Sequence, residues 1–322
     1  MHRLFTALAC LGLAPAATFA AGAYPDHSVT IVVSSPAGST PDTGTRAIAQ
    51  SMARTLGQPV VVENRPGANG QIAAQEVLKN PPDGYTILVA AGSTMAINPH
   101  IYPNQTVNVL KDLTAVGKIY STDFFLIVRS NSGINTMADL VAKARQKPGA
   151  LVAANSGPGS AAQLATEVLK EKTGTDIYQV PFNGSPAAAL GVAAGNADML
   201  IETQAVTEPF VASGKVRRLA TTGRERNPAY PEIPTMAQAG VPGMEISSWA
   251  GIFARTQVPK DRIGRINAAM NQALAEPDVR KVLQGAGLAP GGGTSAAFQE
   301  EWQAQSRLWA EVVARTPGLT NR

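Results

Sequence analysis

The sequence predicts an α/β protein built as two lobes, and three observations carry that expectation. Short β-branched runs alternate with segments whose apolar residues recur at helical spacing, the pattern of parallel strands joined by right-handed crossover helices. The chain has 322 residues, above the roughly 250–300 at which a single hydrophobic core stops growing, so two domains are expected. A strand that empties into a loop of small and hydroxyl residues and then into a helix occurs at residues 31–56, and the same design returns at 151–169.

Residues 1–23 stand apart from this pattern. Arg3 is followed by an apolar run from Leu4 to Leu13 and then by small residues up to Ala20 and Ala23, the three regions of a secretory signal in order. Cleavage after Ala20 and cleavage after Ala23 both satisfy the small-residue rule. The run is well short of the roughly 18–20 residues that span a bilayer. Cys10 is the one cysteine and lies inside this segment, so the mature chain is expected to have neither a disulfide nor a thiol nucleophile.

The first lobe opens with Ile31, Val32 and Val33, a buried strand by composition, followed by Ser34, Ser35, Pro36, Ala37, Gly38, Ser39, Thr40, Pro41 and Asp42. Ile48, Met52 and Leu56 then recur at helical spacing, which places Asp42 at or near the helix N-cap. Backbone N–H groups at a helix start have no intrahelical partner and carry partial positive charge, so a carboxylate or phosphate docks there without a cationic side chain. The same residues equally describe a capped turn that binds nothing.

The chain then alternates. Residues 60–63 read as a strand, 64–70 as a loop, 72–79 as a helix, 81–84 as a turn and 85–91 as a third strand opening onto a loop of Gly92, Ser93 and Thr94. Beyond Pro99 the pattern loosens. Residues 113–119 and 124–128 read as two strands with no helix between them, and the crossing into the second lobe is placed there. Thr136 and Asp139 form a capping box for the next helix.

Residues 151–154 give the strand before the second small-residue loop, Asn155, Ser156, Gly157, Pro158, Gly159 and Ser160. Ala161, Leu164, Ala165, Val168 and Leu169 mark the helix after it. A strand at 177–180 leads to Phe182, Asn183, Gly184 and Ser185, with Ser185 a suitable N-cap and Pro186 a suitable first helical residue. Gly195 closes that helix, and 199–201 lead to Glu202 and Thr203. Residues 218–221 are expected to return the chain to the first lobe, with 228–242 lying over the junction. The resulting division is 1–23 signal, 24–122 with 222–322 lobe one, and 123–221 lobe two. The tail carries three helical stripes: Ile263, Ile266, Met270 and Leu274; Val279, Val282 and Leu283; and Phe298, Trp302, Trp309 and Val313.

Composition narrows the chemistry. Lysine and arginine number 27 against 23 acids, a net charge of +4 that becomes 26 − 23 = +3 once Arg3 is removed. The basic residues are scattered singly with no interleaved aromatics, so nucleic acid is not an expected partner. Outside the signal only His27 and His100 remain, each expected at the surface, so neither a histidine triad nor a zinc site has raw material. Residues 157–162 match G-x-G-x-x-A, but the next strand ends at Val180 and Pro181 without the required acid, and no Walker lysine is present. Ser156 does not stand in G-x-S-x-G. No enzyme activity, cofactor or metal is expected.

The stretches VVSSPAGSTPDTGTR, LGQPVVVENRPGANG and PPDGYTILVAAGSTMAINPHIY, with KPGALVAANSGPGS, VPFNGSPAA, GKVRRLATTG, PEIPTMAQAG and SSWAGIF, run in register from Tyr24 to about Val313 and resemble the extracytoplasmic solute receptors of tripartite tricarboxylate transporters, the Bug or TctC family. The resemblance implies a type II-like, Venus-flytrap periplasmic binding protein, monomeric, that closes on a small organic carboxylate and passes it to a two-component membrane permease. It also implies that backbone amides, hydroxyls and water hold the carboxylate at facing loops. Carried over, these are Ser34, Ser35, Ala37, Gly38, Ser39, Thr40 and Asp42 in one lobe and Ser156, Gly157, Gly159 and Ser160 in the other, with Ser93, Thr94, Asn183, Gly184, Ser185, Glu202 and Thr203 as further wall.

The chain departs from the family pattern at informative places. Ser34 and Ser35 replace a proline and an aromatic, Ser39 replaces a glycine, Gln163 stands where histidine is usual, and Phe182-Asn183 where Tyr-Lys is usual. A tricarboxylate is therefore not assumed. Dicarboxylates, aromatic acids and nicotinate-like compounds all stay open, and Phe182 suggests a flat acid. A receptor that signals to a sensor kinase is the alternative use of the same architecture.

Overall fold

The computed structural model describes residues 24–315; the expected signal segment and Cys10 lie outside the described residues. Strand β1 (Val29–Val33) is apolar and almost wholly buried, and it pairs in parallel with β2 (Val60–Asn64) and β3 (Thr86–Ala91). Helix α1 (Thr40–Leu56) starts after Ser39, carries Pro41 in its first turn, and stops at Gly57, whose φ of 75° suits glycine. It buries Ile48, Met52 and Leu56 on β1 and β3. Helix α2 (Gln71–Lys79) covers the other face with Ala73, Ala74 and Val77.

Residues 92–94 are not a loop. Gly92 begins a helical segment at the very end of β3, with a wide π-type turn over Ser93–Ile97 that runs into α3 (Asn98–Ile101). Gly92 lies so close under Trp249 that a Cβ there would sit 2.9 Å from the indole Cε2. After α4 (Val109–Asp112) comes β4 (Leu113–Arg129), one continuous strand of 17 residues where the sequence suggests two. Over residues 113–123 it pairs antiparallel with β9 (Ser247–Arg255), and over 124–129 with β7 (Met199–Thr203) and β8 (Val216–Thr221). The partner switch between Asp123 and Phe124 makes this strand the spine shared by the two lobes.

The second lobe adds α5 (Met137–Gln146), β5 (Val152–Asn155), α6 (Ala161–Thr173), β6 (Tyr178–Pro181), α7 (Ser185–Ala194) and α8 (Gln204–Ala212). The capping box between Thr136 and Asp139 opens α5 as expected. Strand order across the molecule is β2-β1-β3-β9-β4-β7-β5-β6, with β8 and the two-residue β10 (Ala289–Pro290) also pairing β4. Residues 218–221 do not yet return the chain to the first lobe: β8 pairs with the second-lobe end of β4, and the return follows it.

The tail forms α9 (Lys260–Ala275), α10 (Pro277–Gly285) and α11 (Ser295–Arg315). Phe298 and Trp302 of α11 pack on Phe253, the Phe253 and Trp302 rings lying edge to face at 4.9 Å, and the Trp302 indole donates to the Met95 carbonyl at 2.8 Å. Trp309 and Val313 are buried as the stripe implies, whereas Val282 of α10 is 52% exposed, because that short helix presents Val279 and Leu283 to the core and leaves 282 on its outer side.

Candidate functional site

Two connected cavities lie between the lobes. The outer one, about 420 Å3, is walled by Ser34, Ser35, Ser93, Thr94 and Asn98 from the first lobe and Ser156, Gly159 and Ser160 from the second. The inner one, about 240 Å3, is lined by Ser35, Thr40, Ser93, Tyr120, Thr122, Phe124, Ser156, Ser160, Ser185, Glu202, Thr203 and Ser248. Ser35, Ser93, Ser156 and Ser160 belong to both and form the waist. Among the described residues, no lysine, arginine or histidine lines either cavity.

The hydroxyls arrive there because helices begin there. Thr40 is the first residue of α1, Ser93 opens the π-type turn, Ser160 is the N-cap of α6, Ser185 is the first residue of α7 and Thr203 is the N-cap of α8. Five chain segments therefore aim the positive ends of their backbone dipoles toward one space. Ser34 adds a hydroxyl that is buried with no hydrogen-bond partner among the described residues.

The two small-residue loops are more self-contained than their composition suggests. Asp42 lies near the N-cap, as the third helical residue: Ser39 holds the N-cap position without a side-chain cap bond, and the Asp42 carboxylate reaches back to accept from the Gly38 amide at 2.8 Å, from Arg46 at 2.9 Å and from Asn64 at 2.9 Å. Burial pushes this carboxyl up, and those three bonds outweigh it and hold the group below its ordinary value. In the second lobe the Gly157 amide donates to Asn155 Oδ1 at 3.0 Å, the Gly159 amide to Gln163 Oε1 at 2.8 Å, and the Ser160 amide to the Gly157 carbonyl at 3.2 Å. Gln163 thus braces its own loop. Ala37, Gly38, Ser39, Asp42, Gly157, Asn183 and Gly184 line neither cavity; Ser39 Oγ is buried with no hydrogen-bond partner among the described residues.

Three further expectations meet a different geometry. The N-cap of α7 is Gly184, at φ 92°, and the Ser185 hydroxyl instead donates to Glu202 Oε2 at 2.6 Å. Phe182 turns into the second-lobe core against Gly191 and lines neither cavity, so it offers no platform for a flat acid. His100 is half-buried, with Nε2 2.8 Å from Ser306 Oγ, and burial pushes its ring below the ordinary histidine range.

The wall formed by Pro66, Gly67, Ala68, Asn69 and Gly70 was not among the residues expected from pattern. Ala68 and Asn69 both adopt positive φ, 45° and 53°, a conformation non-glycine residues rarely hold, and Asn98 Nδ2 donates to the Asn69 carbonyl at 3.2 Å. The proline and two glycines flanking these residues are the sequence signal for such a loop. Across the cleft, the Tyr102 hydroxyl donates to the Pro158 carbonyl at 3.3 Å and Gly159 lies against Ile101, so the lobes touch along one edge.

Glu202, the last residue but one of β7, lines the inner cavity and is 6% exposed. Oε1 accepts from the Thr203 amide at 2.8 Å. Burial pushes the carboxyl up, against the lowering effect of the Ser185 and Thr203 bonds. Among the described residues, no helix is long and apolar enough to cross a membrane, and no group of three His, Cys, Asp or Glu gathers as a metal site.

Comparison with known proteins agrees with this geometry. The family model described as the tripartite tricarboxylate transporter family receptor, TctC, matches residues 45–317. Protein BugT of Bordetella pertussis is 30% identical over 302 residues, covering 94% of this chain and 93% of its own. A UPF0065 protein of a Pseudomonas species is 32% identical over 292 residues, covering 90% and 87%. Among solved structures, an R. palustris protein with adipate superposes with a TM-score of 0.82 at 33% identity, covering 90% of this chain and 97% of that one. MatC from Rhodopseudomonas palustris with bound malate gives 0.78 at 29%, covering 90% and 100%, and the periplasmic binding protein BugD 0.77 at 28%, covering 91% and 98%. The two-lobed α/β architecture is thus that of periplasmic solute-binding proteins, and the chain belongs to the TctC family of solute-binding receptors.

Proposed function

We propose that the mature protein acts in the periplasm as a monomeric receptor that captures a small organic carboxylate between its lobes, residues 24–122 with 222–322 and residues 123–221, and delivers it to a two-component membrane permease of the tripartite tricarboxylate type. The observation that carries the reading is the convergence of five helix N-termini and their hydroxyls on a cleft with no cationic side chain. Such a cleft suits an anion held by neutral donors. The adipate and malate held by structural relatives are ligands of that class. Residues 1–23 read as the export signal that places the receptor there.

Ser34, Ser35, Ser156 and Ser160 at or beside the waist are the proposed carboxylate contacts. Donors from both lobes meet only when the cleft is shut, so ligand binding and closure are one equilibrium. A thermal-shift screen of mature protein against succinate, L-malate, adipate, citrate, benzoate and nicotinate tests this. At least one aliphatic acid is expected to raise the midpoint by mass action, and no rise with any carboxylate would contradict the reading.

A further inference from the structure

We propose that Glu202 determines specificity at the inner end of the cleft by meeting the ligand as a neutral carboxyl that donates a hydrogen bond to an incoming carboxylate, so that capture takes up a proton. The proposal rests on the carboxylate reading above and adds to it the group that receives the second acidic end of the ligand.

The geometry leaves Glu202 without a counter-charge. Its carboxyl is buried, sits in the inner cavity and is held by two donors, the Ser185 hydroxyl on Oε2 and the Thr203 amide on Oε1. On β4, Tyr120 is the other titratable group facing this cavity, and burial keeps its phenol neutral; α1 and α6 present Thr40 and Ser160, α8 presents Val206, and β9 presents Ser248. Asp123, the next acid along β4, lines a separate cavity with Arg280. Glu208 of α8 bonds to Arg218 and Tyr230, away from the cleft. A second ionised carboxylate brought into this space would repel the first with no cation to offset it, whereas one neutral carboxyl and one carboxylate share a proton in a strong charge-assisted bond. Both existing donors stay satisfied in that form, because each oxygen still accepts its bond while the new O–H points to the ligand. Burial of Glu202 acts in the same direction by disfavouring its charge.

Isothermal titration of wild-type protein with succinate, adipate and L-aspartate, from about pH 6 to about pH 9 in two non-carboxylate buffers of different ionisation enthalpy, tests the proposal. The expected result for succinate or adipate is uptake of up to one proton per acid bound, with affinity falling by up to about tenfold per pH unit above the titration of free Glu202. Glu202→Gln keeps a permanent donor, so it is expected to bind with no proton uptake and a flat pH profile. Ser185→Ala removes a bond that favours the charged form and is expected to carry acid binding to higher pH. Acid binding with no proton uptake and a flat profile in the wild type would overturn the role of Glu202 while leaving the carboxylate reading intact. Tighter binding of L-aspartate than of succinate, lost in Glu202→Gln, would overturn it too, by showing an ionised Glu202 paired with an ammonium. No binding of any acid at any pH would overturn both readings.

Discussion

Asp42 and Glu202 are two carboxyls a short way from the same cleft, and their surroundings push them in opposite directions. Asp42 has Arg46, Asn64 and the Gly38 amide, so its charge braces the loop from within. Removing it in Asp42→Ala leaves the Gly38 amide without its acceptor, takes one of two acceptors from the Asn64 amide and breaks the ion pair with Arg46, and a loss of about 2–3 kcal/mol in stability by urea unfolding is expected. Because the folded state holds this carboxyl below its ordinary value, the contribution is present above the unfolded pKa and is lost as pH falls through the folded one. Glu202 carries the reverse sign. Its folded value is raised, so its burial costs stability as pH rises above the ordinary 4.5, and Glu202→Gln is expected to melt higher than wild type at neutral pH, the gap closing in acid. A lower midpoint for Glu202→Gln at neutral pH would contradict that assignment.

Elements show where sequence pattern suffices and where it stops. The run of Ile31, Val32 and Val33, the stripe of Ile48, Met52 and Leu56, and the capping box at Thr136 are local, and each forms as its residues imply, the strand reaching back to Val29. β4 reads as two strands because polar Ser121, Thr122 and Asp123 interrupt its apolar pattern; those residues sit where the strand leaves one lobe for the other, Thr122 lining the cleft and all three a neighbouring cavity, so their polarity reflects position rather than a break. α8 escapes a pattern reading because Pro209 lies inside it, and β9 because its neighbours in the sheet are remote in sequence. At the site, the hydroxyls are legible but the fate of each amide is not, since Asp42, Asn155 and Gln163 have the spacing either to cap a turn or to leave it open. Gly92 makes the element-scale prediction: a methyl there meets the Trp249 ring at 2.9 Å, so Gly92→Ala is expected to cost about 1–3 kcal/mol and to displace Ser93 from the waist, read as a lowered melting midpoint together with weaker acid binding.

For the molecule as a whole, β4 is a strand common to both lobes, and on the proposed receptor reading closure is expected to bend or rotate about it near the partner switch at Asp123 and Phe124. The bond from Tyr102 to Pro158 spans the cleft and ties the first lobe to the second. Tyr102→Phe is therefore expected to weaken acid binding by about two- to five-fold, the equivalent of about 0.5–1 kcal/mol, with little change in unfolding midpoint. An equal loss of global stability would assign the bond to folding rather than to closure. Placing a fixed anion at the waist has a larger effect, and Ser156→Asp is expected to abolish acid binding measured by calorimetry, through repulsion in a space without cations.

The most direct measurement is a crystal structure of the mature protein with its tightest-binding acid. The account predicts one carboxylate at the waist, within about 2.7–3.1 Å of the Ser34, Ser35 or Ser156 hydroxyls and neighbouring backbone amides, enclosed by both lobes. An acid seated outside the two cavities, or one whose carboxylate is paired with an arginine, a lysine or a metal ion, would contradict it.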